Sequence, residues 1–168
     1  MYTEGQLWWW SPVQRGIIPL NGFHASRSLR KSARRFRCSV NEDFVGVMTK
    51  CATTHTDGNW INDEFISAYS RLHHLGHAHS VEVWNGNNEL VGGVYGVRIN
   101  NFFAGESMFH TETDASKVAL FHIVQLMHLD GVELFDVQWL TDHLASLGGI
   151  AIPRQEYLAR LAHAVAEG

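Results

Sequence analysis

Apolar positions along this chain recur with two periods, one of strands and one of helices. Phe65, Ile66, Tyr69 and Leu72 approximate helical spacing and predict a helix over 63–75, with Gly76 placed to end it. Residues 114–130 have the length and pattern of a long helix, with Val118, Phe121, Ile123, Val124, Leu126 and Met127 largely apolar. Shorter helices are expected over 28–35 and 43–52, and a closing helix over 154–166, just after Pro153. Residues 79–84 alternate as a strand, and Asn85-Gly86-Asn87-Asn88 is a hairpin signal into a second strand over 90–97. Further strands are expected over 38–41, 101–106 and 134–138, a polar loop over 53–59, and an irregular segment over 1–22. Strands and helices mix around an antiparallel hairpin, so the expected class is an α/β (α+β mixed sheet) domain.

Within this pattern one stretch concentrates unusual choices. Gly92 and Gly93 interrupt an apolar strand run, and Glu106 follows Gly105 in Phe103-Ala104-Gly105-Glu106-Ser107-Met108-Phe109. Glycine inside a strand often marks a bulge or a close approach by ligand or backbone. A carboxylate in an apolar wall suits a pocket that takes an apolar group beside one polar or cationic group. The alternative is a tightly packed sheet with Glu106 at a solvated edge.

Composition narrows the classes. With 168 residues, 45% of them hydrophobic, the chain is long enough for one sizeable core and is read as a single domain over 1–168. The net charge of −4 excludes a generally basic nucleic-acid coat, but Arg27, Arg30, Lys31, Arg34, Arg35 and Arg37 cluster in one short segment. That cluster, with Phe36 and the nearby tryptophans, fits an RNA-binding edge as well as a solvated face. Cys38 and Cys51 are too few for a disulfide framework, which suggests a reducing compartment. With no run of transmembrane length and no signal-peptide pattern, a cytoplasmic protein that engages no membrane is expected. Trp8, Trp9 and Trp10 cannot all face one core in an extended segment, so at least one is expected to reach another surface or a ligand.

Two further constellations carry candidate chemistry. His73, His74, His77 and His79 span a helix end, a turn and a strand start, and no zinc motif accompanies them, so no metal site is expected. Asp136 and Gln138 lie two apart in a predicted strand, which points both side chains to one face. The pair is either a polar site at the sheet's end or a hydrogen-bonded structural pair. The long helix opens at Thr111-Glu112-Thr113-Asp114-Ala115-Ser116-Lys117, without glycine and with two acids, which disfavours a pyrophosphate and hence CoA.

Several runs together resemble the leucyl/phenylalanyl-tRNA–protein transferases: WWSP (9–12), SRSLR (26–30), NWI (59–61), LGHAHSVEVW (75–84), ELVGGVYGV (89–97) and FFAGESMF (102–109). DASK (114–117), FDVQ (135–138), DHLASLGG (142–149) and IPRQEYL (152–158) continue the resemblance in order over nearly the whole chain. The resemblance implies a fold of the acetyltransferase (GNAT-like) type and transfer of Leu or Phe, with Met a further candidate, from aminoacyl-tRNA. The acceptor it implies is the α-amino group of a protein beginning with Lys or Arg, marking that protein for degradation in the bacterial N-degron pathway. Aminoacyl-tRNA and the acceptor are the implied partners, no CoA or metal cofactor is used, and a monomer is favoured.

By the same resemblance Val94, Phe103, Gly105, Met108, Ile123 and Met127 match the aminoacyl pocket. Glu106, Asp136 and Gln138 match the polar residues around the ester and the incoming amine. Trp60 and Tyr69 match the site of the tRNA 3′ end, and Arg27, Arg30, Lys31, Arg34 and Arg35 the grip on the tRNA backbone. Gln138 is then expected to position the amine, with Asp136 orienting Gln138 and helping to remove a proton. Proton transfer through the tRNA ribose hydroxyl is the alternative. The chain departs from the family pattern at Val94, Ile123, Met127 and Thr141, and it is expected to be an N-terminally short member, without the segment and aromatic site residue that the family carries before WWSP. These departures keep open a different acceptor, such as a small-molecule amine, or a binding module without catalysis.

Overall fold

A computed structural model describes residues 2–3, 6–7, 11–54 and 60–166. Tyr2–Thr3 (β1) and Gln6–Leu7 (β2) pair antiparallel. There follow Gln14–Ile18 (β3), the 3-10 turn Leu20–Gly22, Arg27–Ala33 (α1), Arg37–Val40 (β4), Phe44–Thr54 (α2) and Asp63–His74 (α3). Ala78–Trp84 (β5), Leu90–Ile99 (β6), Phe102–His110 (β7) and Ala115–Leu129 (α4) form the centre. Leu134–Gln138 (β8), Asp142–Ser146 (α5), Ile150–Pro153 (β9) and Arg154–Ala166 (α6) complete the chain.

Helix starts follow their capping residues. The Ser26 hydroxyl accepts from the Leu29 N–H at 3.1 Å to open α1, and Asn62 accepts from the Phe65 N–H at 3.0 Å to open α3. Asp63 and Glu64 in the first turn of α3, and Arg71, His73 and His74 in its last, complement the helix dipole. Gly76, at φ 81°, follows its end.

The main sheet has the order β4-β5-β6-β7-β8-β3-β9, with only β7 and β8 parallel. It is the mixed α/β sheet expected. One face packs Val81, Val94, Phe103 and Phe135 under α4, with Leu29 of α1 and Leu144 of α5 in the same core. The other face is covered in two parts: α2 and α3 lie over Tyr95 and Phe109, and α6 over Ile17, Phe102 and Leu134.

Three expectations change. Segment 1–22, read as irregular, contributes β3, which lies between β8 and β9. Only two of its five residues are apolar isoleucines, and long-range pairing rather than local pattern makes it a strand. Thr53 and Thr54, read as loop, extend α2, and β7 runs on to His110. Strand β9 and helix α5 are too short to announce themselves by period. Trp8, Trp9, Trp10 and most of the polar loop before Trp60 lie outside the described residues.

Candidate active site

Strands β7 and β8 pair in parallel only through Phe102–Leu134, Phe103–Phe135 and Ala104–Asp136. Beyond those pairs they part, and Glu106 and Gln138 stand on either side of the opening. Opposite β6 the register passes from Gly96↔Gly105 to Tyr95↔Ser107, which leaves Glu106 as the extra residue of a β-bulge. Bulges re-aim side chains at sheet openings. Gly96 permits this one: a Cβ there would collide with the Ala104 carbonyl and the Phe103 ring. Across the opening the Gln138 side-chain amide donates to Glu106 Oε2 at 3.3 Å.

Asp136 is 1% exposed and accepts four hydrogen bonds. Arg15 Nε and Nη2 donate to its two oxygens at 2.9 and 2.6 Å, and the Tyr157 hydroxyl to Oδ2 at 2.9 Å. The Gln138 backbone N–H donates to Oδ1 at 2.8 Å, at a residue held at φ 65°. Asp136 therefore orients Gln138 through the main chain, while the Gln138 side chain is committed to Glu106. Gly16 lets β3 approach here, since a Cβ would sit 2.7 Å from the Leu140 nitrogen. Neither Arg15 nor Tyr157 was singled out by sequence. Arg15 meets Asp136 across 121 residues, and Tyr157 lies in the IPRQEYL run to which no role attached.

Burial pushes the Glu106 carboxyl up to about 7, with the Asp136 charge adding to it, while hydrogen bonding from Tyr69, the Arg15 charge and the Gln138 amide oppose it. Burial, then Glu106, raise the Tyr69 hydroxyl in turn, so it remains a donor. Tyr69 packs edge-on to Tyr95 at 5.7 Å and lies 6.4 Å from Phe65, which packs edge-on to Trp60 at 5.3 Å. Trp60 and Tyr69 thus belong to one aromatic row ending at Glu106.

On the α4 side of the opening, Val94, Gly105, Glu106, Met108, Leu120 and Leu144 border a cavity of about 80 Å³, with Phe135 and Val137. Its size suits one apolar side chain, well below the roughly 300–1,000 Å³ of sites for whole small molecules. Phe103 does not border it but packs edge-on behind Phe135 at 5.1 Å. Ile123 and Met127 border a separate cavity with His79, Arg98 and Asp130, and Leu120 and Leu144 stand at the first cavity instead. Periodicity could not assign these positions, because α4 is apolar on most of its circumference.

Arg27, Arg30, Lys31, Arg34 and Arg35 are all exposed on and just after α1, and none takes part in an ion pair among the described residues. Ser32 of α1 donates to Asp114 at 2.9 Å, tying this helix to the start of α4. The histidines take separate partners: His73 stacks on Phe44 at 4.4 Å, His74 meets the Ser70 carbonyl at 2.6 Å, and His79 meets Asn41 at 3.1 Å. Among the described residues no group of three or more His, Cys, Asp or Glu could hold a metal ion. No helix among them is long and apolar enough to cross a membrane.

Comparison with known proteins sets these features in a family. FemX resembles this chain in fold, with a TM-score of 0.57 at 12% identity over 89% of this chain and 64% of its own. The L-PGS of Bacillus licheniformis is similar, with a TM-score of 0.52 at 12% identity over 77% of this chain and 48% of its own. Sequence likeness is much stronger elsewhere. The leucyl/phenylalanyl-tRNA–protein transferase of Ruegeria pomeroyi is 51% identical over 97% of this chain and 77% of its own length. That of Pseudoalteromonas atlantica is 52% identical over 94% of this chain and 68% of its own. The pattern described as leucyl/phenylalanyl-tRNA protein transferase matches residues 17–162, and the chain belongs to that family of aminoacyltransferases.

Proposed function

We propose that this chain moves leucine or phenylalanine from charged tRNA to the α-amino group of an acceptor protein, forming a peptide bond. Family membership supports the reaction class, and the observation that carries the site is the β7–β8 opening. There Glu106 and Gln138 meet at 3.3 Å beside a side-chain-sized apolar cavity. The cavity receives the leucyl or phenylalanyl side chain, while the aromatic row of Trp60, Phe65 and Tyr69 offers stacking surface to the 3′ adenosine. The exposed cations of α1 grip the tRNA backbone. In this assignment Leu120 and Leu144 join Val94, Gly105 and Met108 as pocket walls, and Ile123 and Met127 act only as core.

The chemistry asks little of a base. The amine nitrogen attacks the ester carbonyl, a C–N bond forms, the C–O bond to the tRNA ribose breaks, and the ribose oxygen leaves with a proton. An α-amine with a pKa of about 7.7–8.0 is neutral in roughly one molecule in seven at pH 7. Gln138 positions the amine, and Glu106, poised near neutrality, accepts its proton and passes it to the departing ribose oxygen. Asp136 already receives four donors, so its part is to orient Gln138. The acceptor's first residue is Lys or Arg in this proposal, with degradation as the consequence and the cytoplasm as the place. Glu112 and Asp114 at the opening of α4 disfavour a pyrophosphate, so CoA does not enter the proposed reaction, and the proposed steps call on no metal. Residues 1–168 act as one domain in it, because the strands of a single sheet supply both sides of the opening.

The test is transfer of labelled leucine from purified Leu-tRNA to a peptide beginning with Arg, with Phe-tRNA alongside. RNase-sensitive label at the peptide N-terminus is the expected result. Charged-tRNA binding without transfer would instead mark a different acceptor or a binding module.

A further inference from the structure

Asp136 is the most heavily coordinated side chain of the opening, and its partners come from opposite ends of the chain. A buried carboxylate is costly unless hydrogen bonds meet its charge. Here β3 brings the Arg15 guanidinium, whose Nε and Nη2 form a fork on both oxygens at 2.9 and 2.6 Å. Helix α6 brings the Tyr157 hydroxyl at 2.9 Å, and the guanidinium lies over the Tyr157 ring, 5.1 Å from its centroid. The remaining donor is the Gln138 N–H at 2.8 Å. Gln138 stands at φ 65°, a region that non-glycine residues occupy only when their surroundings fix them. That backbone turn aims the Gln138 amide at Glu106.

We propose that Arg15, assisted by Tyr157, is a positioning residue for aminoacyl transfer: its guanidinium holds Asp136 as the acceptor that pins the Gln138 backbone, and so sets where Gln138 and Glu106 meet the ester and the amine. It rests on the transfer function proposed above. Arg15 acts through Asp136 and not by touching substrate. The fork matches the planar guanidinium, and an ammonium offers a point charge in its place. A structural ion pair alone would change the melting temperature and leave the chemical step of the folded enzyme unaltered.

Single-turnover transfer from saturating Leu-tRNA to an Arg-starting peptide tests this, with charged-tRNA affinity and peptide KM measured separately. Arg15→Ala is expected to slow the step on the order of 10- to 100-fold, as a displaced positioning group does, with affinity and KM little changed. Added guanidinium should restore part of that rate, and ammonium at equal concentration should not. Arg15→Lys should remain slow. Tyr157→Phe keeps the ion pair and the ring, and is expected to slow the step roughly 2- to 10-fold, the kinetic equivalent of one hydrogen bond. If Arg15→Ala fails to fold, Tyr157→Phe decides. Unaltered single-turnover rates, or a loss confined to tRNA affinity, would overturn the role of Arg15 while leaving the transfer function intact. A wild-type protein that transfers nothing would overturn both.

Discussion

Glu106 is the residue whose ionisation most directly tests the site. Its carboxyl, pushed up to about 7 chiefly by burial, faces Asp136, Arg15, Tyr69 and Gln138. A folded pKa above the ordinary 4.5 means that the native state holds a proton the unfolded chain has released. Stability contributed by this group is therefore present at low pH and is lost as pH rises through about 7. Glu106→Gln should then gain stability relative to the wild type between acidic and mildly alkaline pH, on the order of 1–3 kcal/mol after solvent screening. Denaturant midpoints at the two pH extremes check this. The same variant should slow transfer and simplify its pH dependence: the wild-type rate rises with two ionisations, Glu106 and the amine, and the variant's with the amine alone. An identical profile in both proteins would remove Glu106 from the chemistry. Glu106 was legible in sequence because a lone carboxylate beside glycine in an apolar strand is an odd choice. Arg15 was not, since nothing local distinguishes an arginine near a proline-flanked segment from a surface one.

At the scale of elements, the β7 bulge and helix α1 carry separate predictions. Gly96→Ala places a methyl against the Ala104 carbonyl and the Phe103 ring, and should cost about 1–3 kcal/mol by overpacking. It should also depress transfer by displacing Glu106. Gly86→Ala in the hairpin, where nothing stands within 4 Å of the added atom, should change stability by less than about 0.5 kcal/mol. Thermal or denaturant unfolding of the pair separates a bulge that needs glycine from one that tolerates a side chain. On α1, replacing Lys31 or Arg34 by Ala should weaken charged-tRNA binding and reduce the slope of log affinity against log salt by roughly 1 each. Transfer at saturating tRNA should stay unchanged. An unaltered salt slope would make α1 a solvated face only. The hairpin, β8 and α6 could be read from turn chemistry and Pro153. Strand β3, β9 and α5 could not, because their short runs become structure only through pairing partners far along the chain.

At the scale of the molecule, the sheet separates two sets of features. One face, under α4, offers an apolar cavity for a side chain; the other, under α2, α3 and α6, carries the aromatic row and the Arg15–Asp136–Tyr157 cluster. The parting of β7 and β8 joins the faces at Glu106 and Gln138. The mixed sheet and the family could be read from sequence. Which apolar residues of α4 face the opening could not, since a helix apolar nearly all round does not reveal its orientation. In the proposed reaction an ester-linked amino acid meets an amine at this opening. Mass spectrometry of an Arg-starting peptide, incubated with Leu-tRNA and either the wild type or Glu106→Gln, tests it most directly. One leucyl residue is expected at the peptide N-terminus with the wild type, and far slower addition with the variant at equal tRNA affinity. Addition at the same rate by both proteins, or no addition by the wild type while charged tRNA binds, would contradict it.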